Sequence, residues 1–257
     1  MFPKLFTIGS FYLPTYGVLV ALGFLAGLSF TVKLARNKGN LDPEKVTNLA
    51  VYVALAGLIG AKLLMIVFDW PDIQIFSLAT LQAAGVFQGG LILALITAFF
   101  YIRHNKLPAL AVADTFAPGV ALGHAIGRLG CFAAGCCWGK ECHLPWAVTF
   151  RNPDAYGLTG VPLNVPLHPA QLYESATEAL LFAFLYWRYG KPHAPGQIIG
   201  LYLLISSITR FLIEFERFHE QATAYGLSIT QWIAIGLAIA GAILLTPKAK
   251  PLISRSV

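Results

Sequence analysis

Residues 16–32 read YGVLVALGFLAGLSFTV, a run without a single charged side chain. A helix that crosses a bilayer needs roughly 20 mostly apolar residues, so this run is read as a membrane span. Similar runs follow along the chain. They cover Leu49–Phe68 (with Lys62 inside), Val86–Ile102, Leu107–Ile126 (with Asp114 and Pro118), Ala176–Trp187 (short unless it begins near Tyr173), Ile198–Phe215 (with Arg210 and Glu214) and Ile229–Leu245. The expectation is an all-α polytopic membrane protein of about seven transmembrane helices. Its 257 residues form one integral membrane domain. The fourth span, polar and glycine-rich toward its end, is a candidate for a broken or re-entrant helix, tolerated at depth only inside protein.

Composition agrees. Hydrophobic residues make up 57% of the chain and charged residues 12%, about half the share in an average soluble domain. The mean hydropathy is +0.67. These values exclude a disordered chain, a coiled coil and a disulfide-rich mini-protein, and speak against a cytosolic enzyme. The net charge of +6 comes from scattered basic residues rather than a dense patch, so nucleic acid is not the expected partner. Eleven of the 18 basic residues fall in Lys33–Lys45, Arg103–Lys106, Arg188–Lys191 and the tail carrying Lys248, Lys250 and Arg255. The excess of Lys and Arg marks these segments as cytoplasmic. The N-terminus is then outside and the C-terminus inside. The opening MFPKLFTIGS lacks the apolar core and cleavage site of a signal peptide. The longest stretch between spans, residues 138–169, is polar and rich in Pro, Gly and Asn. It is read as a small outer-face head of turns and short strands, inserted in the membrane domain.

Ionisable residues inside spans are costly unless paired, and often mark function. Here they are Lys62, Asp114, Arg128, Arg210 and Glu214. Arg210 and Glu214 stand four apart on one helix face, which a purely structural ion pair would explain equally well. Two arginines and a lysine in one bundle make a cationic cavity suited to a lipid phosphate, which arginine grips as a bidentate fork. The segment GHAIGRLGCFAAGCCWGKEC, residues 123–142, carries Arg128 among glycines that permit close backbone approach, Gly139 among them. Helix packing explains those glycines but not a guanidinium.

All four cysteines lie in the same segment, at 131, 136, 137 and 142. Their spacing lacks the C-x2-C knuckle of zinc sites, so no metal is expected. A disulfide joining Cys142 to one of the others is the favoured pairing, with a buried thiol open for Cys131 and a reactive thiol beside Arg128 a minor alternative. In HPAQLYE, residues 168–174, Gln171 and Glu174 read as helix-capping groups next to His168. FQGGL, residues 87–91, offers Gln88 as donor and acceptor beside the open backbone of Gly89 and Gly90. Tyr16 reads by itself as an interfacial anchor.

Taken in order, TYG at Tyr16, GRLGCFAAGCCWG, HPAQLYE and the arginine-bearing GLYLLISSITRFLIEFER resemble the bacterial prolipoprotein diacylglyceryl transferase family over the whole chain. The resemblance implies a seven-span inner-membrane enzyme with its head outside. Such an enzyme moves the diacylglyceryl group of phosphatidylglycerol onto the lipobox cysteine of a prolipoprotein signal peptide, forming a thioether and releasing glycerol phosphate. It implies no cofactor. Membrane lipid and the signal peptide are the expected partners. By the same resemblance Arg128 and Arg210 grip the phosphate, Glu214 orients Arg210, Tyr16 positions the head group and Gly139 preserves the fold. Gly89, Gly90, Lys62, Cys131 and His168 fall at substrate-facing motif positions.

The chain departs from the family pattern in three places. Gln88 stands where the family has the histidine of His-Gly-Gly, its leading candidate for thiol activation, and a glutamine cannot take a proton. Cys131 replaces an asparagine and Cys136 a glutamate. Lys62 replaces an arginine. The proton of the acceptor thiol then leaves unaided in the cationic field, or passes to Glu214 or His168; a paralogue with altered activity is the third alternative. Two other classes fit parts of the pattern. A lipid or anion transporter would carry symmetry between its halves, which the sequence lacks. A thiol-redox protein would depend on the cysteines and not on the arginines.

Overall fold

The computed structural model describes residues 2–9, 11–69, 85–218 and 223–246. The basic tail used for orientation lies outside the described residues. The chain divides into two compact units, Met1–Thr31 with Ala113–Val257, and Val32–Val112.

The smaller unit is dominated by two long helices, α2 (Pro43–Phe68) and α3 (Phe87–His104). The start of α2 follows from its sequence. The Asp42 side chain accepts from the Glu44 amide at 2.9 Å, and Pro43 occupies the first turn, where its missing N–H costs nothing. The two helices press backbone to backbone where Gly60 meets Gly89, a contact with no room for a Cβ on either side. Their outer faces are apolar, with Leu58, Leu63, Val67, Leu95 and Phe99 all more than half exposed. Such faces belong in lipid rather than water.

The larger unit opens with an antiparallel hairpin, β1 (Lys4–Ile8) and β2 (Phe11–Pro14), leading into α1 (Thr15–Asn37). Helix α4 (Ala109–Ala134) is continuous, with Pro118 inside it. It is not broken. Asp114 on α4 is buried and serves another helix. Its two carboxylate oxygens accept from the amides of Gly196 at 2.7 Å and Ile199 at 2.8 Å, at the start of α7 (Gln197–Ile213). The charge expected to mark function thus caps a helix from the side, where the dipole favours an anion.

Between α4 and α6 (Ala170–Tyr189), residues 138–169 form β3 (Val148–Thr149), the short helix α5 (Pro153–Thr159) and β4 (Pro166–Leu167). Phe150, Ala155, Val161 and Leu167 make a small core of their own, closed by Trp138 and Val148. Helix α7 runs into a 3-10 turn, Glu214–Glu216. A hairpin of β5 (Thr223–Ala224) and β6 (Leu227–Ser228) then leads to α8 (Ile229–Leu245), whose capping box pairs Ser228 with Gln231.

Five helices among the described residues are long and apolar enough to cross a membrane: α1, α2, α3, α4 and the helix through Gln197–Glu216. Two of the seven expected spans are of another kind. Helix α8 is apolar but has 17 residues. Helix α6 is long enough, but its buried face is polar in its first half: Gln171, Glu174, Ser175 and Glu178 precede Leu181 and Leu185 along the same stripe. That polar stripe is where the site lies.

Candidate active site

Glu174 is the hub. It is 4% exposed and receives cations from two other helices. Arg128 of α4 brings Nη2 to 2.6 Å from Glu174 Oε2. Arg210 of α7 brings Nε to 3.7 Å from Oε1. His124, one turn before Arg128, lies 3.5 Å from Glu174 and, through its other ring nitrogen, 3.5 Å from Glu178. Hydrogen bonds fix α6 against both neighbours: Ser175 donates to the Ala125 carbonyl at 2.8 Å, and Ser206 donates to Glu178 at 2.5 Å. The expectation that Gln171 and Glu174 cap α6 does not hold. Pro169 occupies the cap position without a side-chain bond, Gln171 reaches back to the Cys136 carbonyl at 2.7 Å, and Glu174 points into the bundle, where the guanidinium groups offset its burial.

A second carboxylate extends the cluster. Glu214 Oε2 lies 2.6 Å from Arg210 Nη1 and 3.7 Å from Arg217 Nη1, and Oε1 accepts from Ser228 at 3.0 Å. Three guanidinium groups thus surround two buried carboxylates. Arg128 Nε is buried without a hydrogen-bond acceptor among the described residues.

Gly139 holds the far side together. The chain around it runs between residues 166–168 and 216–218. The Gly139 amide donates to His168 O at 3.0 Å, the Lys140 amide to Glu216 O at 2.8 Å and the Phe218 amide to Trp138 O at 3.2 Å. A Cβ at Gly139 would stand 2.6 Å from His168 O and 2.7 Å from Glu216 O, so only glycine lets both neighbouring strands approach. His168 is held at both ring nitrogens, by Tyr173 Oη at 3.1 Å and Glu216 at 3.2 Å. Tyr16, at the start of α1, lies against Gly130 of α4.

The expected site residues therefore divide. Arg128, Arg210, Glu214, Cys131, Gly139, His168 and Tyr16 belong to the larger unit, and Arg128 Nη1 donates to the Cys131 sulfur at 3.6 Å. Gln88, Gly89, Gly90 and Lys62 belong to the smaller one. There Gln88 is exposed in the first turn of α3, Lys62 is half-buried in α2, and Gly89 and Gly90 are buried against α2 at Gly60 and Gly57. Sequence reasoning missed His124, Glu178 and Arg217, and understated Glu174. The available signal was the i, i+4 pair Glu174 and Glu178, two carboxylates on one face of a helix expected in the membrane.

All four cysteines are free, and no disulfide joins Cys142 to another. The Cys137 thiol is pulled below the ordinary thiol range by the Cys131 and Cys136 thiols beside it, and further by Arg128 and Arg217.

Comparison with known proteins meets this geometry. The model of the prolipoprotein diacylglyceryl transferase family matches residues 3–246. The chain belongs to that family. It is 33% identical over 244 residues to a phosphatidylglycerol--prolipoprotein diacylglyceryl transferase of Clostridium tetani, covering 94% of this chain and 95% of the relative. It is 31% identical over 265 residues to the enzyme of the same name from Bordetella parapertussis, covering 97% and 96%. A relative from Clostridium perfringens named phosphatidylglycerol--prolipoprotein diacylglyceryl transferase 2 is 29% identical over 233 residues. Within the matched span, the stretches through which the sequence resembles that family carry the charged hub: GRLGCFAAGCCWG holds Arg128, HPAQLYE ends on Glu174, and the following arginine-bearing helix holds Arg210 and Glu214.

Proposed function

We propose that this protein transfers the diacylglyceryl group of phosphatidylglycerol to the lipobox cysteine of a prolipoprotein signal peptide. The observation that carries the reading is the convergence of Arg128 and Arg210, from two helices, on the one carboxylate of Glu174 in a chain of this family. Glu174 and Glu214 hold the two guanidinium groups side by side before any ligand arrives. Preorganised donors of this kind suit a phosphodiester and the phosphate that leaves. The thiolate of the acceptor attacks the glycerol carbon, the carbon–oxygen bond to phosphate breaks, and glycerol phosphate departs.

The proposed setting is the inner membrane of a bacterium, with seven spans, the N-terminus and the 138–169 head outside and the C-terminus in the cytoplasm. Glu214 is committed to Arg210, Arg217 and Ser228, and both ring nitrogens of His168 are engaged, so neither suits the role of base. Ionisation of the acceptor thiol in the cationic field is the preferred route.

The test uses purified protein in micelles, phosphatidylglycerol and a lipobox peptide, with the peptide's mass gain of one diacylglyceryl group as readout. Wild type gains it, and Arg128→Ala and Arg210→Ala do not. Wild type that is inert while Gln88→His is active would mark a scaffold lacking its base. Failure of both would overturn the function.

A further inference from the structure

The signature segment holds three thiols to which the proposed transfer assigns no chemical step. Cys131 sits in the last turn of α4. Gly135, at φ +81°, turns the chain back, and the amides of Gly135 and Cys136 donate to the Cys131 carbonyl at 3.0 and 3.1 Å. Cys137 follows with φ +60°, a left-handed backbone that non-glycine residues seldom adopt. The turn folds Cys136 and Cys137 over the end of the helix. The sulfurs of Cys131, Cys136 and Cys137 all lie within 4.8 Å of one another, although their spacing in sequence has no metal-site signature. Cys142 stands outside this group.

We propose that Cys131, Cys136 and Cys137 form a three-thiolate site for a soft monovalent d10 metal ion of the copper(I) type. The dimensions fit. Metal–sulfur bonds of about 2.3 Å set the sulfurs of a trigonal plane about 4.0 Å apart, so the site closes with sulfur shifts of under about 1 Å. The donor set is selective. Thiolates alone favour soft ions over magnesium, calcium or manganese, and three ligands without a fourth fall short of the tetrahedral set of structural zinc. The charge is supported as well. Three thiolates around a monovalent ion carry two negative charges, and Arg128 donates to the Cys131 sulfur at 3.6 Å. Binding releases to solvent whatever protons the three sulfurs still carry and moves no electron. Cys136 and Cys137 are half-buried, which leaves an entry path, whereas Cys131 is 8% exposed. The proposal does not depend on the transferase reading.

The test titrates the reduced full-length chain in micelles anaerobically with copper(I) against a chelating competitor, followed by alkylation and mass mapping of each cysteine. The expected result is uptake of about one copper per chain, with alkylation of Cys131, Cys136 and Cys137 lowered about tenfold or more and that of Cys142 unchanged. Cys136→Ser and Cys137→Ser lower the affinity by about tenfold or more. The alkylation pattern is read on the wild type, so a variant that fails to fold does not shelter the proposal. Uptake below about a fifth of an equivalent, equal protection of Cys142, or unchanged affinity in folded serine variants would overturn it. So would a wild-type chain isolated with two of the three thiols joined as a disulfide that, once reduced, takes up no copper.

Discussion

Replacing Glu174 with glutamine removes one charge and almost no volume. The hub loses the carboxylate that faces Arg128 at 2.6 Å, Arg210 at 3.7 Å and His124 at 3.5 Å. The Arg128 and Glu174 side chains are only 12% and 6% exposed, so the surrounding protein screens the pair weakly. At an effective dielectric of about 20, charges about 4 Å apart interact by about 4 kcal/mol. Breaking a buried pair from one side costs about 3–5 kcal/mol, because the remaining charge is left without its partner. If about 3 kcal/mol of that appears as lost positioning in the transition state, kcat/KM falls by about two orders of magnitude. Glu178→Gln is the matched control. Among the described residues Glu178 pairs with His124 and Ser206 and with neither arginine, so its loss should stay within about tenfold. The assay is steady-state transfer to a lipobox peptide, with thermal unfolding in micelles measured on the same preparations. The reasoning fails if folded Glu174→Gln keeps kcat/KM within about threefold of wild type, or if Glu178→Gln is equally damaging.

Two further substitutions separate architecture from chemistry. Gly139→Ala places a methyl group 2.6 Å and 2.7 Å from two backbone oxygens, so the backbone must shift. Its melting temperature should drop, with a loss of about 1–3 kcal/mol by chemical denaturation, and transfer should fall with it because Arg217 and His168 lie on the displaced strands. Asp114→Asn keeps one acceptor for the start of α7 but loses the charge and one of the two bonds, at Gly196 or Ile199. It should cost about 0.5–2 kcal/mol of stability while leaving transfer within about threefold of wild type; a loss as deep as that of Arg128→Ala would show that Asp114 does more than cap.

Hydropathy makes most of the fold readable, because a helix facing lipid must be apolar around most of its circumference. Helix α1 and the α2–α3 pair are legible on that ground alone. Helix α6 is harder, since its buried stripe is polar where it meets the arginines, and the apolar run becomes clear only after Glu174. The site divides in the same way. Arg128, Arg210 and Glu214 stand out as charges inside apolar spans. Glu174 hides at the end of a loop motif, where a capping role is the simpler reading of a glutamate. His124 carries no formal charge in a sequence count, and Arg217 reads as one more loop cation until the 3-10 turn at Glu214–Glu216 sets it beside Glu214, three residues back. The cysteines show the limit of spacing arguments. C-x4-C-C looks unfit for convergence along a helix, and becomes fit because a left-handed glycine ends that helix between the first cysteine and the other two.

In the proposed reaction one negative charge sits on sulfur and one on the phosphodiester at the start, and both sit on the leaving phosphate at the end. The charge moves from the nucleophile toward Arg128 and Arg210, so their attraction grows along the reaction coordinate. Only an interaction that grows in this way speeds the chemical step. A phosphate leaves readily without a proton, so the proton of the acceptor thiol is the one that must go. Gln88 cannot take it, and Glu214 and His168 are already engaged. The rate should therefore follow the ionisation of the peptide thiol itself, with a pKa near ~8.5 for a free cysteine. A thiol that loses its proton only as pH rises through that value gives kcat/KM that climbs about tenfold per unit below it and levels off above it. Where the cationic field lowers the thiol pKa, the plateau moves to lower pH and the slope beneath it stays the same. The climb should therefore be visible between about pH 6.5 and 8.5. A wild-type profile already flat across that range would mean that some other residue of this chain takes the proton.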